Sequence, residues 1–509
     1  MRGMRGMRGM GVPPQVYTHF CDTVFSRKGF VALDLFFSGD GMDANRSATA
    51  SLFGQEHFGA CDLGDARLTA RLVKAANCFL AHPGGTLPDK LNKNADLIGF
   101  YRLANNPKAG HRKLIAAHCA RTQELMDQAA GLVLVIHDTT EIDLSGLHSV
   151  GDLGPIGHGG CSGYLCHNSL AYDYQEKEVL GLANQTLHVR RKVPKGESPK
   201  AKREHPQRES RLWKKGWSAL GAAPPGQLRV NIADRGADML EFMEAVELGG
   251  DHYVIRSKSN RNIDIDSSGG VITTKLHDWA RKLPTLGTRQ VEVAANHGQK
   301  ARSATVGIAA AKVSIRPPHF ARGEHSKNNL VTWVVHVREM DPPPGAAPLE
   351  WILLTNVPVN NGADAAERVE WYACRPIIEE YHKAQKTGCG IELPQFTTGH
   401  ALQSAIAVLS VVATQLLRMR DLSRKEDAAT LAATRIVDLP YVEALSLWRF
   451  GAVRTALNVR DFFMALAKLG GHLNRRHDGP PGWLVLWRGW TKLQLLVEGA
   501  QGERRKRCV

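Results

Sequence analysis

The period of the apolar positions changes along the chain, and the changes divide it. Leu68, Leu72, Ala75, Ala76, Phe79 and Leu80 recur at helical spacing behind Asp62, which can cap a helix over the run DLGDARLTARLVKAANCFL. Helical spacing continues from Asp96 to Ala130, with Pro107 and Gly110 marking a turn. At Gly131 it gives way to GLVLVIH, β-branched and apolar without polar alternation, which predicts a buried strand ending at Asp138. Strand-like runs follow at 170–174, 179–189, 228–232 and 253–256, with a helix over 237–247. Alternating segments at 290–293, 304–308 and 330–337, separated by Gly, Asn and Pro, predict an antiparallel β insertion. A strand at 351–355 and a helix over 365–386 resume the α/β pattern, and beyond His400 the spacing is helical almost to the end.

These periods predict an α/β protein with helical ends. Residues 1–50 read as a disordered leader and 51–130 as a helical domain. The core spans 131–260 and 346–400, interrupted by the insertion at 261–345, and 401–509 form a helical carboxy-terminal domain with a basic tail.

Composition narrows the class. A chain of 509 residues that is 43% hydrophobic and 23% charged is not wholly disordered, collagen-like or membrane-embedded. Its 65 Lys plus Arg against 50 Asp plus Glu leave +15, which points to a polyanionic partner, nucleic acid before an anionic membrane. Nine cysteines, an odd number thinly spread, make no secreted-type disulfide framework and suit a reducing cytoplasm. The opening MRGMRGMRGM is neither a packing pattern nor a signal peptide and leaves the true translation start open. The uncharged run between His400 and Arg418 falls short of the ~20 apolar residues of a bilayer span and predicts a buried helix.

Charge placement suggests where chemistry and binding sit. Arg67, Arg71 and Lys74 stand at i, i+4 and i+7, a basic stripe suited to DNA phosphates, with a solvated face as the competing reading. Residues 191–215, rich in Lys, Arg and Pro, predict an exposed basic loop. Asp138 and Asp234 stand at strand exits. Taking ~100° per residue, Tyr372, Arg375, Glu379, Lys383 and Lys386 share an arc of roughly 80° on one helix face, and Glu380 points away. One carboxylate among phosphate-binding donors can hold a metal ion while its neighbours grip a DNA strand. His158, Cys161, Cys166 and His167 match no standard zinc spacing.

The pattern of Tyr372, Arg375, Glu379 and Lys386 resembles the YREK signature of bacterial DDE transposases of the insertion-sequence-four family, which act by cut and paste. IHDTT at 136–140 is similar to that family's first-Asp block, ADRGAD at 233–238 to its second, and YVIRSK at 253–258, with Arg256 and Lys258, to the strand after it. LGDARLTARLV at 63–73 and FYRLANNP at 100–107 resemble the amino-terminal DNA-binding region, and PLEWILLT at 348–355 the strand before the signature helix. The resemblance covers residues 56 to 420.

It implies a ribonuclease-H-like core with Asp138, Asp234 and Glu379 as the DDE triad holding two Mg²⁺ ions, for which Mn²⁺ can substitute. It further implies nicking, hairpin formation and opening, and strand transfer. The partners would be double-stranded DNA, as terminal inverted repeats and target, and a second copy of the chain in a synaptic homodimer, in a nucleoid-associated cytoplasmic setting without membrane. Trp351 would stack on a base flipped from the duplex, with burial in the β core as the competing fate. Pro376 departs from the family pattern and should bend or restart the signature helix. A DNA-binding derivative without catalysis and a nuclease without joining activity remain the rival readings.

Overall fold

The structure, a computed structural model, describes residues 50–157, 159–293, 302–318, 325–345, 347–476 and 478–507. The expected leader, apart from Ala50, lies outside the described residues. The described chain opens with helices α1 (Ala50–Phe58), α2 (Ala66–Ala81), α3 (Leu87–Lys90), α4 (Asn94–Ala104) and α5 (His111–Gln128). Helix α2 buries the expected stripe from Leu68 to Leu80. Its cap is Asp65 rather than Asp62: Asp65 Oδ1 accepts from the Arg67 N–H at 2.9 Å, while Asp62 closes a turn on the Gly64 N–H. Gly64 is left-handed, at φ +68°, so the helix cannot begin before it.

Strands β1 (Leu132–Asp143), β2 (Gly154–Pro155), β3 (Ser162–Asp173) and β4 (Glu178–His188) are followed by α6 (Pro199–Glu204), α7 (Arg211–Ser218), β5 (Leu228–Ala233), α8 (Leu240–Leu248) and β6 (His252–Arg256). The sheet order across this part is β4-β3-β1-β5-β6, antiparallel as far as β1 and parallel from β1 through β5 to β6. The insertion comprises β7 (Asn262–Ser267), β8 (Gly270–Lys275), α9 (Leu276–Ala280), β9 (Gly287–Val293), β10 (Arg302–Ile315) and β11 (Leu330–Glu339). Strand β12 (Glu350–Thr355) pairs with β11 on one side and β6 on the other, so the insertion extends the core sheet instead of forming its own.

The remaining helices are α10 (Gly362–Ala373), α11 (Pro376–Lys383), a π-helical turn at Ala384–Gly388, α12 (Gly399–Arg424), α13 (Leu439–Phe450), α14 (Val459–Leu469) and α15 (Trp483–Arg507). By length and composition α12 could cross a bilayer, but 83% of its apolar window is buried in the fold, where it packs on α5 and β4. It is the buried helix that the uncharged run between His400 and Arg418 predicts.

The basic stretch 191–215 is not a bare loop. It carries α6 and the start of α7, and Leu212 is buried. Three of its region's arginines are paired: Arg190 with Glu209, Arg191 with Glu197 and Arg208 with Glu241. Interleaved acids and Trp213, which packs edge-on against His167, supply the partners that a count of basic residues overlooks.

Candidate active site

Two strand ladders place the aspartates. Strand β1 runs beside β5 in parallel only as far as His137, opposite Ala233. Asp138 and Asp234 are the next residue on each strand, so they emerge side by side at the carboxyl ends of neighbouring parallel strands, where open α/β sheets usually keep their sites. Asp138 is not at a strand exit, however. Strand β1 continues to Asp143 because its pairing with β3 outlasts its pairing with β5. Asp234 Oδ1 accepts from the Gly236 N–H at 2.8 Å, which fixes the turn after β5.

The third carboxylate arrives on α11. Pro376 ends α10 and opens the next helix at its first turn, where the missing N–H costs nothing, and Arg375 sits at the junction. Arg375 Nη2 donates to Asp138 Oδ2 at 2.6 Å and Nη1 donates to Glu379 Oε1. All three side chains are largely buried. Burial holds the Asp138 carboxyl well above the usual carboxylate range, opposed by Arg375 and reinforced by Asp234 and Glu379. Burial alone would lower the Arg375 pKa, but Asp138 and then Glu379 raise it, so the guanidinium stays charged. Glu380 faces away, bonded to Lys383 and Trp483.

A buried chain of hydrogen bonds, not foreseen from the sequence, fixes this helix to the sheet. Asn168 lies directly across from Asp138 on β3, and its Nδ2 meets His382 Nε2 at 3.1 Å. Asn168 Oδ1 accepts from Gln185 Nε2 at 2.8 Å, and Gln185 Oε1 accepts from His111 Nε2 at 2.9 Å. Burial keeps His382 neutral, at about 3, so its Nε2 is free to accept the Asn168 amide. Buried polar groups require such partners, and the signal in the sequence was an Asn and a Gln standing within apolar strand runs. Asp238, in the second-Asp block, is structural: its carboxylate accepts from the Lys258 and Ser259 N–H groups and from Arg261.

The remaining expected site residues divide. Tyr372 is buried against Trp351, ring centroids 5.4 Å apart, and adjoins Arg256, which donates to the Glu350 carbonyl at 2.9 Å. Burial pushes the Tyr372 hydroxyl up to about 12. Trp351 is itself only 7% exposed, so the structure places it in the β core and not on a surface open to a base. Lys383 is drawn off the expected face by Glu380. Lys386, displaced by the π-helical turn, lies 3.3 Å from Glu392 and lines a groove with Thr139, Thr140 and Trp213. The Lys258 side chain is exposed. Arg67, Arg71 and Lys74 are exposed too, Arg67 paired with Asp65 and Lys74 with Asp96.

Residues 51–109 match the protein family described as Transposase DNA-binding. The matched stretch is helices α1 to α4, including all three residues of the basic stripe, and it ends just before α5. The match supports a transposase with DNA as its partner. Helix α5, which the sequence grouped with the first domain, lies outside the matched residues and packs on β4, α12 and α1.

The donor chemistry of the site suits a hard divalent cation: three carboxylates and no soft ligand. Among the described residues no three His, Cys, Asp or Glu side chains stand close enough together to hold an ion. The Arg375 guanidinium bridges two of the three carboxylates.

Proposed function

We propose that the chain is a DDE transposase of the cut-and-paste insertion-sequence-four type, with a ribonuclease-H-like core and Asp138, Asp234 and Glu379 as its triad. The observation that carries this reading is the meeting of Asp138 and Glu379, 241 positions apart in sequence, on one guanidinium beside Asp234. The strand order β4-β3-β1-β5-β6 supports the core assignment, and the match over residues 51–109 supports the biological setting.

The three carboxylates would hold two Mg²⁺ ions, or Mn²⁺ in their place, which when bound activate water or a DNA 3′-hydroxyl and stabilise the departing 3′ oxygen. Arg375, which here pairs with Asp138 and Glu379, has the fork geometry that would suit bidentate contact with a DNA phosphate. Tyr372 lies beside it and is in turn held by Arg256. Asn168 and His382 hold α11 so that Glu379 stays opposite Asp138. Trp351 would receive a flipped base only if the Tyr372 ring moves off it. Dimerisation through the carboxy-terminal helices completes the proposed synaptic complex.

Labelled transposon-end DNA incubated with the protein and Mg²⁺ tests the reading. Cleavage followed by strand transfer is expected. Cleavage without joining would make the chain a nuclease, and binding alone a non-catalytic derivative.

A further inference from the structure

Most arginines around the sheet are matched to carboxylates, as Arg190, Arg229, Arg261 and Arg302 show. The carboxy-terminal helices differ. Between residues 449 and 492 eight Lys and Arg stand against two acids, Asp461 and Asp478. None of the eight forms an ion pair among the described residues. Asp461 is engaged by Asn458, and Asp478 Oδ2 accepts from the Arg475 backbone N–H at 2.8 Å.

Three of these cations, Arg460, Arg475 and Arg476, line one open cavity of about 470 Å³, with Phe463, Met464 and one acid, Asp478, also in its wall. All three arginines are exposed. Three like charges against the single carboxylate of Asp478 leave the wall net positive, and a further anion relieves the remaining repulsion. We propose that this cavity binds backbone phosphates of duplex DNA, at a place distinct from the carboxylate site.

Its position supports the separation. Ser423, near the end of α12, also lines the cavity, and five residues earlier Arg418 reaches Glu178 at the start of β4. Glu178 lies opposite Asp173, which pairs with Val133, five residues or about 17 Å along β1 from Asp138. The shape favours a polymer over a nucleotide. A nucleotide site is concave and covers most of its ligand, whereas this cavity is wide, its cations are exposed, and planar guanidinium groups suit successive phosphates.

The test uses the full chain and a random-sequence 20-bp duplex, with binding followed by fluorescence anisotropy from roughly 50 to 200 mM NaCl. Replacing Arg460, Arg475 and Arg476 together by Ala should lower the slope of log K against log[salt] by about 2 to 3, at ~0.9 per phosphate contact. The corresponding triple Lys variant should keep most of the slope. A control with Lys275, Lys282 and Lys312 changed to Ala should leave it within about one unit. An unchanged slope in the Arg-to-Ala variant, or an equal loss in the control, overturns the proposal. So does stabilisation of the wild type by pyrophosphate that the variant lacks, if duplex binding is the same in both, because the site would then take a free phosphate compound. Should the triple Ala variant fail to fold, Arg476→Glu alone must still lower duplex affinity. The same titrations run in EDTA should leave all these readings unchanged, which keeps them separate from the metal chemistry.

Discussion

Arg375 and Asp138 lie 237 positions apart in sequence, and a hydrogen bond of 2.6 Å joins them in a nearly dry setting. The same guanidinium holds Glu379, so one side chain neutralises two carboxylates that would otherwise repel each other. This explains how the fold accommodates two buried carboxylates beside one another, one on β1 and one on α11.

Removing that charge should make the fold depend on metal. Arg375→Gln is expected to lower stability by about 1–3 kcal/mol in EDTA, the cost of leaving buried charge unpaired. Mg²⁺ should then raise the melting temperature of the variant more than that of the wild type. Equal Mg²⁺ responses in the two proteins would show that Arg375 does not stand in for a cation.

The bond between Asn168 and His382 predicts a positioning effect. His382 is three residues from Glu379 on α11, so His382→Leu, which removes the acceptor but fills the space, should let the helix shift. A displacement of about 1 Å can cost on the order of 100-fold in rate. Cleavage should fall by roughly 10- to 100-fold while duplex binding changes little, and His382→Gln, which can still accept the amide, should recover part of the loss. Normal cleavage by His382→Leu would remove the residue from the account.

A buried pair of histidines predicts an acid-sensitive fold. His57 and His118 share a hydrogen bond of 2.9 Å between α1 and α5, and the Leu182 N–H donates to His118 Nε2. Burial, with Arg121 nearby, lowers His118 to about 3, and burial, His118, Arg121 and Arg418 hold His57 well below its usual value. Unfolded chains take up protons at these positions below about pH 6.5 while the folded protein does not, so stability falls as pH drops from about 6.5 toward 3. Each histidine contributes about 1.4 kcal/mol per pH unit within that window. Urea unfolding at pH 6.5 and 5 should show a smaller loss for His118→Gln than for the wild type. An identical loss would assign the acid sensitivity elsewhere.

Much of this was legible in the chain because it rests on periodicity. The 100° rule separates Glu379 from Glu380, and the structure points one at Arg375 and the other at Trp483. Pro376 marked the restart of the signature helix because a residue without an N–H cannot continue one. What escaped was set by partners distant in sequence. Strand β1 outruns its apolar run because β3 holds it, Lys383 turns to the nearer Glu380, and the stretch 191–215 folds onto acids interleaved with its own basic residues. Trp351 is covered by Tyr372, a contact that depends on where α10 meets the sheet.

The most direct test of the central claim is Mg²⁺-dependent cleavage of transposon-end DNA by Asp138→Asn, Asp234→Asn and Glu379→Gln, each checked beside its own duplex affinity. If the three carboxylates form one metal-holding site, every variant should lose cleavage by at least about 1,000-fold, or ~4 kcal/mol of transition-state stabilisation, while binding DNA within a few-fold of the wild type. Near-normal cleavage by any one of the three would contradict it.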